Sequence, residues 1–149
     1  MKIPLASDHA GFEAKERVKE ILTKLGHSPV DLGTHSGESV DYPDYAVQVS
    51  RLINDREHER GILVCGSGQG MCMTANKFEN VRAALVYDEA TAAITRSHNN
   101  ANILCLPGRS LKDELETIVK IWLETEFEGG RHSRRVHKIH DLTQKSVKN

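Results

Sequence analysis

The fold can be predicted from residues 62–71, which read Ile-Leu-Val-Cys-Gly-Ser-Gly-Gln-Gly-Met. The aliphatic run up to Val64 is typical of a strand that is buried on both faces of a sheet. Glycine then occupies every second position from Gly66 to Gly70, which leaves backbone amides uncovered by side chains. A helix that follows such a loop would add about half a positive charge at its N-terminus. The segment therefore predicts a strand, a loop whose amides can hold an anion, and a helix.

Short apolar runs alternate with helical patterns along the whole chain. The five predicted strands are residues 2–7, 28–32, 61–64, 82–86 and 102–106. Helices are predicted from near Gly11 to a stop at Gly26, over 42–53, after Gly70, before His98, over 111–127, and from about 132 to 142. Strands that alternate with helices imply right-handed crossovers and a mostly parallel sheet. The expected fold is a single three-layer, Rossmann-like α/β domain over residues 1–149, with helices on both faces and an extra C-terminal helix.

Two prolines restrict where the first strands can lie in the sheet. Pro4 and Pro29 each remove an amide donor within a predicted strand. Each is therefore expected at a strand start, in an edge strand or at a bulge.

Composition indicates a soluble, cytoplasmic protein. A length of 149 residues fits one domain, and 38% hydrophobic residues suffice for a core without disulfides. The three cysteines, Cys65, Cys72 and Cys105, are an odd number and are expected as reduced thiols. The N-terminal residues lack the pattern of a secretory signal, and no apolar run approaches the roughly 18 residues that span a bilayer. We therefore expect no membrane association.

Charge is balanced over the chain but unevenly distributed. Twenty Lys and Arg stand against 21 Asp and Glu, which argues against a nucleic-acid partner. Residues 131–149 carry six Lys or Arg and one Asp, whereas the rest of the chain carries 14 basic and 20 acidic residues. This basic segment either meets an anion or forms a solvated helix face, and the sequence leaves both interpretations open.

Three common motifs fail to match the glycine loop. A dinucleotide fingerprint would need a third glycine at Met71, a Walker loop would need Gly-Lys-Ser/Thr, and a cysteine phosphatase would need Arg at Met71. The remaining candidate for chemistry in this segment is the thiol of Cys65 at the end of the strand. Helix N-termini lower thiol pKa values, so Cys65 is predicted to be a thiolate near neutral pH, able to act as a base or a nucleophile. Alternatively, Cys65 is a small core residue, which is the role expected for Cys72 and Cys105.

Three polar clusters supply further candidates. Asp8 and His9 follow the first strand, where they would either face a ligand or cap the next helix. A polar run at 96–102 precedes the last strand, and an ordinary loop could have the same composition. Arg131 and Arg135 are spaced i, i+4, so their guanidinium groups could grip one phosphate. The eight histidines and three cysteines show no paired zinc-ligand spacing, and no metal is predicted.

Seven short motifs stand in order along nearly the whole chain, up to about Leu142. They are residues 7–11 (Ser-Asp-His-Ala-Gly), 33–35 (Gly-Thr-His), 41–43 (Asp-Tyr-Pro), 65–70 (Cys-Gly-Ser-Gly-Gln-Gly), 75–77 (Ala-Asn-Lys), 98–102 (His-Asn-Asn-Ala-Asn) and 128–132 (Glu-Gly-Gly-Arg-His). Together they resemble ribose-5-phosphate isomerase of type B. The resemblance implies interconversion of ribose 5-phosphate and ribulose 5-phosphate without metal or organic cofactor. It also implies a homodimer, with a tetramer as a larger possible assembly, in which each active site combines residues from two subunits.

The resemblance assigns roles to particular residues. Cys65 is similar to the base that moves a proton between carbons 1 and 2, and His98 to the residue that assists opening of the furanose ring. The residues that would hold the enediolate oxygens are Gly66, Ser67, Gly68, Gln69 and Gly70. Those that would bind sugar oxygens are Asp8 and Asn99. Those that would grip the phosphate and the rest of the substrate are His9, Arg109, Arg131 and Arg135.

The sequence departs from the family pattern at three points and leaves other functions open. Ser67 replaces a frequent Thr and keeps the hydroxyl, Asn100 replaces a common Asp, and Pro107 precedes Gly108 and Arg109. Related isomerases act on six-carbon substrates such as allose 6-phosphate and galactose 6-phosphate, and the length of the pocket decides between them. A non-catalytic module that binds a nucleotide or another anion at the glycine loop is an alternative from a different class, and a thiol hydrolase is a third.

Overall fold

The computed structural model describes residues 1–143, which form one parallel sheet with helices packed around it. The strands are β1 (Lys2–Ser7), β2 (Ser28–Asp31), β3 (Gly61–Cys65), β4 (Ala83–Leu85) and β5 (Ile103–Pro107). The helices are α1 (Phe12–Lys24), α2 (Tyr42–Asn54), α3 (Gln69–Ala75), α4 (Glu89–Ser97), α5 (Leu115–Glu124) and α6 (Arg131–Thr143). The predicted α/β fold with five parallel strands is confirmed.

The order of the strands determines where a site can form. The sheet has the order β2-β1-β3-β5-β4, and every pair of neighbours is parallel. From β1 the chain continues to β2 on one side of the sheet, and from β3 it continues to β4 and β5 on the other side. A crevice therefore opens between the carboxyl ends of β1 and β3. Asp8 directly follows β1, and Cys65 ends β3. The topology thus brings two of the predicted site residues to the crevice.

Both prolines occupy positions that a parallel sheet tolerates. Pro29 lies in β2, which is an edge strand. Pro4 is opposite Val30 of β2, but the pairing of β1 with β3 begins only at Leu5. The missing amide of Pro4 therefore precedes that ladder, in agreement with the expected strand-start or edge positions.

Two apolar clusters fill the space on either side of the sheet. The period of two in β3 directs Ile62 and Val64 to the cluster that contains α1, α4 and α5 residues. Leu63 and Cys65 face the other cluster, which is formed with α2 and α3. Cys72 and Cys105 pack in this second cluster, as predicted. Burial raises the pKa of the Cys105 thiol well above its usual range, so this thiol remains protonated.

The predicted element boundaries differ from the structure mainly in one helix. The pattern over 111–127 predicts a longer helix than α5. In the structure the segment before Leu115 is not helical, because tertiary contacts hold it. The amide of Lys112 donates to the carbonyl of Tyr87, and a carboxylate oxygen of Asp113 accepts from the amide of Glu89. The strand boundaries agree to within one residue at each end.

No helix within residues 1–143 is both long enough and apolar enough to cross a membrane. Two of the six basic residues counted in the C-terminal segment, Lys145 and Lys148, lie outside the described residues.

Candidate active site

Three loops meet at the carboxyl edge of the sheet. Cys65, the last residue of β3, is only 4% exposed. Its carbonyl oxygen accepts a hydrogen bond of 2.7 Å from the amide of Gly108, which follows β5. On the other side, the carbonyl oxygen of Val64 accepts one of 3.3 Å from the amide of Asp8. A Cβ at Gly11 would lie 2.5 Å from the same oxygen, so glycine is required for this approach.

The glycine loop, which directly follows Cys65 in the chain, has three amides without an acceptor in the described part of the structure. The backbone N–H groups of Gly66, Ser67 and Gly68 donate no hydrogen bond to any of the residues 1–143. Gly68 adopts φ +75°, and a Cβ there would lie 2.5 Å from the side chain of Leu85. Helix α3 is only seven residues long, so these loop amides supply more of the positive potential than its macrodipole does. Unpaired amides held in a fixed loop suit a developing oxyanion.

Two predicted polar residues border this loop. Asp8 is 7% exposed, and its Oδ1 accepts a hydrogen bond of 2.9 Å from the amide of Gly11. This carboxylate oxygen closes the turn before α1, whose N-cap residue is Gly11, so Asp8 does not itself cap the helix. Its Oδ2 forms no hydrogen bond within residues 1–143. Nδ1 of His9 accepts a hydrogen bond of 3.1 Å from the amide of Val40, which leaves Nε2 for a ligand.

The remaining predicted residues at this edge are exposed. Ser67 Oγ accepts a hydrogen bond of 3.3 Å from the amide of Gln69, and both side chains are open to solvent. Arg109 follows Gly108 and is exposed without an ion pair to any described residue. Pro107 ends β5 opposite Cys65, so Arg109 lies on the same edge of the sheet as the thiol.

A second group lies at the opposite, amino edge of the sheet. His98 caps the C-terminus of α4, and its ring stacks on that of His132 with centroids 4.2 Å apart. Nε2 of His132 lies 3.4 Å from a carboxylate oxygen of Glu128. Desolvation lowers the pKa of His132, as do the neighbouring His98 and Arg131. Asn99, Arg131 and Arg135 are exposed beside this pair.

The structure therefore divides the predicted residues between two edges of the sheet. The carboxyl-edge group is Asp8, His9, Cys65, Gly66, Ser67, Gly68, Gln69, Gly70 and Arg109. The amino-edge group is His98, Asn99, Arg131 and Arg135. Strand β5 separates the two groups, and five residues at about 3.3 Å each span roughly 16 Å. One chain alone does not bring the two groups together.

Three potential metal ligands do converge at the amino edge. Ligand atoms of His98, Glu128 and His132 all lie within 4.8 Å of one another. The spacing rule did not predict this cluster, because the residues meet through tertiary packing. The two imidazole planes are 13° apart and stacked. Ring lone pairs lie in the ring planes, so stacked rings direct them side by side rather than at one tetrahedral ion.

Sequence reasoning also missed Tyr42 as part of the site. A Cβ at Gly70 would lie 2.5 Å from Cζ of Tyr42, so the phenol ring covers this end of the glycine loop. Tyr42, Glu128 and His132 all lie within the motifs at 41–43 and 128–132. Their position in those motifs was the available signal, but their contacts depend on tertiary structure.

Residues 3–139 match the family model described as Ribose/Galactose Isomerase. The chain belongs to this family. Ribose-5-phosphate isomerase B of Escherichia coli is 39% identical over 145 residues, which cover 97% of each chain. A ribose 5-phosphate isomerase structure from Thermotoga maritima is 52% identical with a TM-score of 0.89, over 94% of this chain and 97% of the other. Ribose-5-phosphate isomerase B of Mycoplasma genitalium with bound ribulose-5-phosphate is 43% identical with a TM-score of 0.92, over 97% of each.

The family relationship confirms the predicted resemblance and the enzyme class. Members of this ribose/galactose isomerase family are aldose–ketose isomerases, and the chain is an enzyme of this class. The alternative of a non-catalytic binding module and that of a thiol hydrolase lose their support. The assignment of individual residues rests on the geometry described above.

Proposed function

We propose that this enzyme interconverts ribose 5-phosphate and ribulose 5-phosphate, with Cys65 as the base. The observation that carries the proposal is the position of this thiol at a strand end, directly before three amides that have no acceptor among residues 1–143. The relative from Mycoplasma genitalium that binds ribulose-5-phosphate supports the choice of a pentose phosphate. Phosphorylated sugar is thus the proposed substrate, with neither a metal nor an organic cofactor.

The chemistry needs one group that moves a proton between two neighbouring carbons. The Cys65 thiolate removes the proton from C2 of the open-chain aldose, and the electron pair moves onto the carbonyl oxygen at C1. The resulting enediolate is stabilised by the amides of Gly66, Ser67 and Gly68. The same proton then returns to C1, while the Ser67 hydroxyl exchanges a proton between the two oxygens, and the ketose forms. Removing one oxyanion donor typically costs about 3 to 4 kcal/mol of transition-state stabilisation.

The proposed site is completed by a second copy of the chain. Ring opening and phosphate binding require His98, Arg131 and Arg135, which lie across the sheet from Cys65. A homodimer that places the amino edge of one subunit against the carboxyl edge of its partner joins both groups. His98 of the second copy then donates a proton to the ring oxygen as its bond to C1 breaks, and the C1 hydroxyl loses its proton to water as the aldehyde forms. The two arginines meet His9 and Arg109 around the phosphate.

Turnover measurements test this assignment. Ribose 5-phosphate, allose 6-phosphate and galactose 6-phosphate are assayed at equal concentrations, and we expect the pentose phosphate to react fastest. Faster turnover of a hexose phosphate would identify the six-carbon alternative. Pre-incubation with a chelator is expected to leave the rate unchanged, and a lost rate restored by a divalent ion would contradict the metal-free mechanism.

The base is tested by Cys65→Ala, with Cys72→Ala as a matched control. We expect Cys65→Ala to lose at least about a hundredfold in turnover, since acid–base groups typically contribute 10²–10⁴-fold. Far-ultraviolet circular dichroism should be unchanged, and Cys72→Ala should stay within a few-fold of the wild type. A folded Cys65→Ala protein with near-normal turnover would refute the assigned base.

A further inference from the structure

Four arginines surround a cleft at the amino edge of the sheet that the catalytic proposal does not use. The cleft has a volume of about 540 Å³ and lies where β3, β4 and β5 begin. Its basic lining residues are Arg56, His58, Arg60, Arg82 and Arg96. Glu59 is the one acidic residue among its described lining residues. This volume is within the usual range for small-molecule sites.

Arg96 is the most buried of these residues, with 3% exposure. Its Nη1 donates to Oδ1 of Asn100 at 2.9 Å and to the carbonyl of Ala101 at 2.6 Å. Its Nε donates to the carbonyl of Thr125 at 3.3 Å. Within residues 1–143, Nη2 has no acceptor and no carboxylate lies within ion-pairing distance. A buried charge of this kind is rare without a counter-ion.

The other guanidinium groups converge on the same space. Nε of Arg82 donates to the carbonyl of Asn100 at 2.9 Å, which leaves both of its Nη atoms without an acceptor among the described residues. Arg60 and Arg96 both lie against the ring of Trp122, at 5.3 and 5.9 Å from its centroid. The part of the chain that the structure describes gives none of these three arginines an ion pair.

The electrostatics reflect this crowding of positive charge. Burial lowers the pKa of Arg96 to about 10, with a further contribution from the charges of Arg60 and Arg82. Glu126 opposes this effect but forms no ion pair with Arg96. Burial also lowers the pKa of Arg60 and of Arg82. An anion in the cleft would offset the repulsion among three neighbouring cations.

We propose that this cleft is a second anion site, which binds the phosphate group of a small molecule. Guanidinium forks match phosphate oxygens. Nη1 of Arg60 donates to the carbonyl of Trp122 at 3.5 Å, so the Nη atoms without an acceptor among residues 1–143 are Nη2 of Arg60, Nη2 of Arg96 and both of Arg82. The site differs from the proposed catalytic phosphate grip, because Arg131 and Arg135 do not line the cleft. Free phosphate and a phosphate monoester share the chemistry required.

The single tryptophan provides a direct readout of this site. Trp122 is the only tryptophan in the chain, and it lies beneath two of the cleft arginines. Titration of the full-length protein with inorganic phosphate is expected to change Trp122 fluorescence with saturation, whereas acetate at equal ionic strength should not. A parallel titration with glycerol phosphate distinguishes free phosphate from a phosphate monoester as the ligand. Tighter binding of the ester would identify a phosphorylated metabolite.

Matched variants separate the two phosphate sites. Arg60→Gln and Arg82→Gln should each raise the Kd for phosphate in the fluorescence titration by about tenfold or more, which is the loss expected for one charge-assisted hydrogen bond. Arg51→Gln, an exposed change on α2, and Arg131→Gln combined with Arg135→Gln should leave it unchanged. Melting curves identify any variant that fails to fold, and Arg56→Gln then serves in its place. No saturable response in the wild type, or a response lost only with Arg131 and Arg135, would overturn the proposal.

Discussion

The imidazole of His98 lies parallel to that of His132, with ring centroids 4.2 Å and planes 13° apart. A carboxylate oxygen of Glu128 lies 3.4 Å from Nε2 of His132. Because burial lowers the pKa of His132, the ring is neutral near pH 7 and forms an uncharged platform for His98. The orientation of the proposed ring-opening residue therefore depends on a neighbour in α6.

This stacking predicts a positioning role for His132. His132→Ala should lower turnover of ribose 5-phosphate by about ten- to a hundredfold, the range reached when a catalytic group is misplaced by about 1 Å. His132→Phe should recover most of the loss, because an aromatic ring restores the stack. Steady-state kinetics with His137→Ala, an exposed change on the same helix, supply the control. Equal turnover in His132→Ala and the wild type would contradict the role.

The glycine loop predicts a contrast between two glycine substitutions. Gly68→Ala forces a Cβ into a left-handed backbone at 2.5 Å from Leu85 and 2.9 Å from the backbone of Leu106. The conformation alone costs about 1 to 2 kcal/mol, and the contacts add to it. Gly37 has open space around its missing Cβ, so Gly37→Ala should change stability by less than about 0.5 kcal/mol. Urea denaturation measures both, and comparable stability of the two variants would contradict the loop geometry.

The buried pair of Lys15 and Asp31 predicts an acid-sensitive stability. Lys15 is fully buried, and its ammonium group lies 2.6 and 2.7 Å from the two carboxylate oxygens of Asp31. Burial alone would raise the pKa of Asp31, but hydrogen bonds from Lys15, Lys19 and the amide of Gly33 lower it to about 2. A lowered folded-state pKa stabilises the protein fully above the usual value of 3.8. This stabilising contribution of Asp31 is lost as the pH falls from 3.8 through about 2.

Asp31→Asn tests this pair. At neutral pH it should cost about 3 kcal/mol, because Lys15 remains buried without its main counter-charge. The difference from the wild type should shrink as the pH falls below 3.8. Asp44→Asn, an exposed change on α2, is the control, and urea denaturation at several pH values is the measurement. A pH-independent difference would show that ionisation of Asp31 is not the cause.

The sequence predicted the parallel sheet and the position of Cys65, because both depend on local patterns. An aliphatic run ending at a glycine-rich loop places the thiol at a strand end whatever the rest of the chain does. The topology also implied that His98, which precedes β5, and Cys65, which ends β3, lie at opposite edges. This separation needs only parallel strands and not the strand order, whereas the crevice between β1 and β3 depends on the strand order, which periodicity does not supply.

Tertiary contacts account for what the sequence did not show. Arg96 belongs to a polar run that is compatible with an ordinary loop, yet it is buried beside Trp122, because α5 packs next to α4. The cluster of His98, Glu128 and His132 joins segments about 30 residues apart. Neither arrangement follows from local spacing, and both lie beside the loop that the motif at 98–102 had marked.

Complementation between two inactive variants tests the two-chain site most directly. Cys65→Ala and His98→Ala are each purified, then mixed under conditions that exchange subunits. If each site takes Cys65 from one chain and His98 from the other, a mixed dimer contains one intact site. Random exchange should then restore about a quarter of wild-type turnover of ribose 5-phosphate, because half of the dimers are mixed. A mixture that exchanges subunits and stays inactive would contradict the shared site.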